Sequence, residues 1–193
     1  MDRSNNVYVA LLRSVNVGGH TVLRMADLRE LFRSFGLTDV VTYIQSGNVL
    51  FSTEDADPER LARRLEAQLT SSFGRPMTGF VLSPADLKAA VAHNPFAPER
   101  WDLQGQDDEL SCHLMFLSAP PDETRRMALM ALQGEEYRFH IHGNVLYHAY
   151  PRQYAGNRRT IDFERVLGVT GTARTWKVVN KLLELSCRPV TPK

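Results

Sequence analysis

The residues best suited to chemistry lie in two short polar segments, each at the end of a predicted strand. The first, Arg13 to His20, reads R-S-V-N-V-G-G-H, and its paired glycines permit close approach of backbone N–H groups to an anion. The second is Q-S-G-N, from Gln45 to Asn48. An arginine binds carboxylate or phosphate through paired hydrogen bonds. Together these residue types favour binding of an anionic small molecule by Arg13, Asn16, Gly18, Gly19, Gln45, Ser46 and Asn48.

The glycine-rich segment also has a simpler interpretation, as a turn that binds nothing. It lacks the lysine of a P-loop and the glycine spacing of a dinucleotide-binding loop. We therefore predict no cofactor, and both the anion site and the plain turn stay open at this stage.

Three histidines, His140, His142 and His148, are candidate metal ligands. His140 and His142 lie two residues apart on a predicted strand and share a face. Pairing across the turn Gly143-Asn144 places His148 on the opposite face, and no carboxylate has suitable spacing. The sequence therefore predicts no metal site and favours histidines on the surface or at a dimer face.

A basic patch is the basis of a second functional hypothesis, nucleic-acid binding. The patch would combine cations and aromatic surface from Tyr154, Arg158, Arg159, Trp176, Lys177 and Lys181. The alternative is a solvated helix face with Trp176 in the core. Since 23 basic residues oppose 22 acidic ones, the net charge of +1 creates no global attraction to nucleic acid or membrane.

A third hypothesis, a hydrolase or transferase that uses Ser46 or a histidine, has the least support. No G-x-S-x-G motif is present, and the sequence names no base for Ser46. Cys112 and Cys187 lack C-x-x-C spacing and are typical of reduced thiols. No apolar run is long enough to span a bilayer, so we expect a cytoplasmic protein. Whether it is an enzyme stays undecided.

The elements that position these residues come from one unit used twice. Y-I-Q-S-G-N-V-L-F, Tyr43 to Phe51, returns as F-H-I-H-G-N-V-L-Y, Phe139 to Tyr147. In both copies we interpret Gly-Asn as a two-residue hairpin turn. In the first hairpin this interpretation leaves both faces apolar, with Ile44, Val49 and Phe51 on one face and Val41, Tyr43 and Leu50 on the other.

The predicted order β-α-β-β-α-β with a trailing helix occurs twice. This order defines an α+β fold of duplicated ferredoxin-like halves with largely antiparallel sheets. The predicted halves are 1–94 and 111–193, joined by a linker at 95–110 that is rich in proline, glycine and acids. The apolar second face would be covered by the other half or by a second copy in a homodimer. Because strands one and two of such a unit are parallel, the Arg13–His20 and Gln45–Asn48 segments should meet at one sheet edge.

Four stretches together resemble a known family. They are L-L-R-S-V-N-V-G-G (Leu11 to Gly19), Y-I-Q-S-G-N-V-L-F, N-P-F (Asn94 to Phe96) and T-A-R-T-W-K-V-V-N-K-L (Thr172 to Leu182). They resemble the bacterial family catalogued as domain of unknown function 1697. The resemblance implies a duplicated α/β fold of ferredoxin-like halves. It does not indicate any particular activity, because the family is uncharacterised.

The resemblance also implies which polar residues recur. It adds Gly47, Arg174, Trp176 and Lys181 to the candidates named above. This chain departs from the family pattern at Ser14, where members usually have glycine. It departs again at Arg158-Arg159-Thr160, where members often carry a serine-lysine pair.

Overall fold

A computed structural model describes residues 5–13, 15, 23–74, 76–97, 110–134, 137–151 and 160–188. The chain divides into two compact units. The first unit is Met1–Lys88 with Lys181–Lys193, and the second is Ala89–Asn180. The predicted linker lies mostly outside the described residues, since 98–109 are not among them.

The first unit contains one four-stranded antiparallel sheet. Its elements are β1 (Asn6–Leu12), α1 (Met25–Ser34), β2 (Thr38–Tyr43), β3 (Asn48–Thr53), α2 (Pro58–Phe73), β4 (Gly79–Leu82) and the start of α3 (Pro84–Ala92). The strand order is β2-β3-β1-β4. Because β1 and β2 both run antiparallel to β3, they are parallel to each other, and the ends of both strands lie at one edge.

The second unit repeats this arrangement. Its elements are β5 (Leu110–Leu117), α4 (Glu123–Met130), β6 (Arg138–His142), β7 (Val145–Pro151), α5 (Phe163–Leu167), β8 (Gly171–Thr175) and the start of α6 (Trp176–Ser186). The order β6-β7-β5-β8 matches that of the first sheet. The predicted α+β fold with duplicated ferredoxin-like halves is confirmed.

Local signals set the helix ends. The side chain of Asp57 accepts a hydrogen bond from the N–H of Arg60 at 2.9 Å, and Pro58 opens α2. Gly74 ends the helix with a left-handed φ of 64°. The second helix of the second unit, α5, begins at Phe163, because the side chain of Asp162 accepts a hydrogen bond from the N–H of Arg165 and caps the helix there.

The core of the first unit lies between its sheet and two helices. The helices contribute to this core the side chains of Leu28, Phe32, Leu61, Leu65 and Leu69. Val9 and Leu11, on the other face of the sheet, are fully buried, and Leu50 is nearly so. Val41, which pairs with Leu50 on this face, is 51% exposed, and a homodimer stays a prediction.

The two hairpins differ, which corrects the sequence interpretation. The second is as predicted: His142 pairs with Val145 and Phe139 with His148 across a two-residue turn. In the first, Tyr43 pairs with Asn48, so Ile44 to Gly47 form a four-residue loop. The predicted two-residue turn at Gly47-Asn48 was wrong, because Asn48 belongs to β3.

The strand position predicted for Ile44 was also wrong. Ile44 opens the loop with a φ of 50° and a side chain that is 48% exposed. A left-handed backbone costs a residue with a Cβ atom roughly 1–2 kcal/mol, and branching at Cβ makes the conformation rarer still. The loop therefore contains a local strain that its counterpart in the second unit avoids. No helix among the described residues is long and apolar enough to cross a membrane.

Candidate functional site

The start of the Arg13 segment lies against the first hairpin loop. The N–H of Leu12 donates to the carbonyl of Gly47 at 2.8 Å, and the N–H of Arg13 donates to the carbonyl of Thr78 at 2.9 Å. A Cβ atom on Gly47 would lie 2.9 Å from the Cβ of Leu12 and 3.0 Å from the Cγ2 of Val15. The predicted meeting of the two segments is thus observed for their described residues.

The side chain of Asn48 bridges the loop with two hydrogen bonds. Its side chain is fully buried, and Nδ2 donates to the carbonyl of Tyr43 at 3.0 Å and to Oγ of Ser46 at 2.9 Å. A buried amide with two such bonds is expensive to remove. Asn48 therefore positions the loop, whereas Gln45 is exposed and Ser46 partly exposed.

Arg29 is a second arginine at this hairpin that sequence reasoning missed. Its Nη1 donates to Oγ1 of Thr42 at 2.7 Å, two residues before Ile44. Arg29 lies in the middle of α1, and no sequence motif links it to β2. The bond nevertheless brings a guanidinium to the strand that leads into the loop.

Four residues of the predicted site, Asn16, Gly18, Gly19 and His20, lie outside the described residues. The described portion of the site consists of Arg13 and the loop from Ile44 to Gly47, with Asn48 beneath it.

The second unit provides an internal comparison. The N–H of Leu117 donates to the carbonyl of Asn144 at 2.8 Å, and the N–H of Ser118 donates to the carbonyl of Thr170 at 2.9 Å. By this pattern Leu117 corresponds to Leu12, and Ser118 occupies the place of Arg13. The second copy therefore has the same framework with a shorter turn and without the arginine.

Arg174 is the most buried of the arginines whose burial the structure gives. It lies in β8, is 8% exposed, and its Nη1 donates to Oγ1 of Thr172 and to the carbonyl of Ala173, both at 2.8 Å. Burial lowers the pKa of its guanidinium to about 10, so it keeps its charge at neutral pH. Trp176 begins α6 and is partly exposed. A ligand for either residue stays a prediction.

His140 and His142 are exposed on one face of the second sheet. The ring of His93, which follows α3, stacks on the ring of His142 with centroids 3.8 Å apart. Partial desolvation lowers the pKa of His140, although the residue is exposed, and the neighbouring His142, Arg126 and His93 lower it further. His148 pairs opposite Phe139, on the other face, as predicted. Among the residues that the structure describes, no group of three His, Cys, Asp or Glu side chains could hold a metal ion.

The basic patch is only partly described. Lys177 is exposed, whereas Lys181 forms an ion pair with Glu184 at 2.7 Å, and Arg188 pairs with the same carboxylate. Tyr154, Arg158 and Arg159 lie outside the described residues. Nucleic-acid binding by this patch stays a prediction.

The N-P-F motif has a structural role in the second unit. Asn94 is fully buried, and its Nδ2 donates to Sγ of Cys112 at 3.4 Å while its Oδ1 accepts from the N–H of Phe96 at 3.0 Å. Burial raises the pKa of the Cys112 thiol. Nearby, Tyr147 donates its hydroxyl to the carbonyl of Ala90 at 2.9 Å, and burial raises its pKa to about 12. These contacts hold the end of α3 on the second sheet.

Comparison with known proteins places the chain in a family. A family model described as "Protein of unknown function (DUF1697)" matches residues 6–147, so the chain belongs to that family, and the resemblance noted in the sequence is confirmed. No curated protein matches the chain. Among solved structures, the conserved bacterial protein SP0830 from Streptococcus pneumoniae is similar over 96% of this chain and 100% of its own, with a TM-score of 0.70. At 21% identity, this similarity shows the fold alone.

Proposed function

We propose that this protein binds an anionic small molecule at the edge formed by the Arg13–His20 segment and the Gln45–Asn48 loop. The observation that carries the proposal is the hydrogen bond from Leu12 to Gly47, which joins the two segments immediately before Arg13. Arg13 follows this bond directly, and a guanidinium is suited to a carboxylate or phosphate.

The internal duplication supports a specialised role for this edge. Both units have the same strand order and the same backbone bond after the first strand. Only the first has an arginine after that bond and a four-residue loop with exposed polar atoms. A framework kept for stability alone would not need these additions, since the second unit lacks them.

Rigid support of the loop adds to the proposal. A binding site loses less free energy on ordering when its groups are already held in place. Here Asn48 closes the loop from within, and Gly47 packs against Leu12 and Val15. The polar side chains at the edge are therefore presented by a preorganised backbone.

A thermal-shift screen tests the proposal directly. Wild type, Arg13→Ala and the control Arg33→Ala, an exposed arginine on α1, are screened with sugar phosphates, nucleotides and small carboxylates. An anion at 100 times its dissociation constant adds about 2.7 kcal/mol to the free energy of unfolding. We expect a hit with wild type and Arg33→Ala that is lost in Arg13→Ala. A shift that survives in Arg13→Ala, or no hit at all, contradicts the proposal.

A further inference from the structure

Ile44 combines an unfavourable backbone conformation with an exposed side chain. Its φ of 50° lies in the left-handed region, where glycine, asparagine and aspartate are favoured and residues branched at Cβ are rare. Among the described residues other than glycine, Asp39 also has a positive φ, of 52°. Aspartate tolerates this conformation. Isoleucine is therefore the unfavourable choice at position 44.

Burial compensates for this choice only in part. The side chain of Ile44 is 48% exposed, so half of its apolar surface gains nothing from burial. Val41, three residues earlier, is 51% exposed. Among the described residues, the large hydrophobic side chains that are highly exposed are Val41, Ile44 and Met127, and two of these three lie at this hairpin.

The position of Ile44 in the chain links it to the proposed site. It is the first residue of the loop that continues through Gln45 and Ser46 to Gly47. Arg29 is bonded to Thr42, just before it. Apolar surface and positive charge thus lie together at one end of the hairpin, which matches a ligand that has both an anionic group and an apolar part.

We infer that Ile44 provides an apolar contact for the ligand, and that the ligand is an anion attached to an apolar body, such as an aryl or alkyl phosphate or carboxylate. This inference rests on the proposed function. Backbone strain retained at an exposed position is typical of residues that contribute to binding rather than to stability.

The test compares anions with and without an apolar body. Phenyl phosphate is titrated against inorganic phosphate, and benzoate against acetate, on wild type, Ile44→Asn, Arg13→Ala and the control Met127→Asn. In wild type, we expect at least one apolar anion to bind about tenfold more tightly than its small partner. In Ile44→Asn that preference is lost while the small anion binds as before, and the melting temperature is not lowered. Met127→Asn keeps the preference.

The outcomes distinguish the inference about Ile44 from the proposed anion site. If Ile44→Asn keeps the full preference while Arg13→Ala loses both anions, the inference about Ile44 is wrong and the anion site stands. If Arg13→Ala binds all four probes as wild type does, or wild type binds none of them, the proposed function fails and the inference falls with it. A melting temperature of Ile44→Asn well below wild type would show that Ile44 serves packing, which also overturns the inference.

Discussion

Gly47→Ala is expected to destabilise the protein more than Gly143→Ala, although both glycines belong to a G-N-V-L hairpin. Each has a positive φ, 73° at Gly47 and 55° at Gly143, so an alanine at either position adds about 1 kcal/mol of backbone strain. At Gly47 the new Cβ would also meet Leu12 Cβ at 2.9 Å and Val15 Cγ2 at 3.0 Å. At Gly143 nothing lies within 4 Å.

The difference in stability loss between the two variants measures the cost of the contact that the new Cβ atom makes with Leu12 and Val15. Overpacking of a buried site costs about 1–3 kcal/mol, which should be the extra loss in Gly47→Ala. For a protein of this size that corresponds to a further fall of roughly 2–12 °C in melting temperature. Urea unfolding followed by circular dichroism measures both variants. Equal losses of stability would refute the contact between the loop and the end of β1.

Further predictions concern other described residues. Asn48→Ala removes a fully buried amide with two hydrogen bonds and should cost about 1–3 kcal/mol in urea unfolding; an unchanged midpoint would contradict its role in the loop. His140 has a pKa lowered by partial desolvation and by nearby cations, so the folded state binds fewer protons than the unfolded state. Its contribution to stability is then present above pH 6.5 and lost as the pH falls through the lowered value. The melting temperature should therefore fall less steeply from pH 8 to pH 5 in His140→Gln than in wild type. The same pH dependence of the melting temperature in both proteins would contradict this prediction. Cys187 is exposed and Cys112 buried with a raised pKa, so a disulfide reagent should label one thiol quickly in the native protein and both after unfolding. Rapid native labelling of both would contradict the burial of Cys112.

Much of the fold follows from short-range signals in the sequence. Asp57, Pro58 and Gly74 define the ends of α2 through chemistry that acts within a few residues. Alternating apolar residues define the strands, and the repeated G-N-V-L pattern indicates the duplication. From these the strand order and the shared edge of the two polar segments could be predicted.

The form of the first hairpin could not be predicted in the same way. Gly-Asn is a sufficient signal for the two-residue turn at Gly143 and Asn144, and the first copy contains the same dipeptide. What differs is the surroundings: Gly47 packs against the end of β1, a contact between residues distant in sequence, and the Asn48 side chain bonds across its own loop to Tyr43. The dipeptide alone indicates neither contact, so the local preference did not predict the register.

The role of Arg29 was unpredictable for a related reason. Its position on α1 shows only an ordinary helical arginine, and its bond to Thr42 depends on how that helix packs on the sheet. Arg13, by contrast, follows β1 directly, so its location at the edge could be derived from strand order. Residues placed by topology are predictable from sequence, whereas residues placed by packing angles are not.

The most direct test of the anion site is an amide chemical-shift titration of the protein with phenyl phosphate. The second hairpin is the internal control. The hydrogen bond from Leu117 to Asn144 matches the bond from Leu12 to Gly47, but a serine follows it in place of the arginine. We predict saturable shifts at the amides of Arg13, Gln45 and Gly47, with the amides of Gly143 and Asn144 unchanged. Absent shifts at the first loop, or equal shifts at both hairpins, would contradict a specific anion site at this edge.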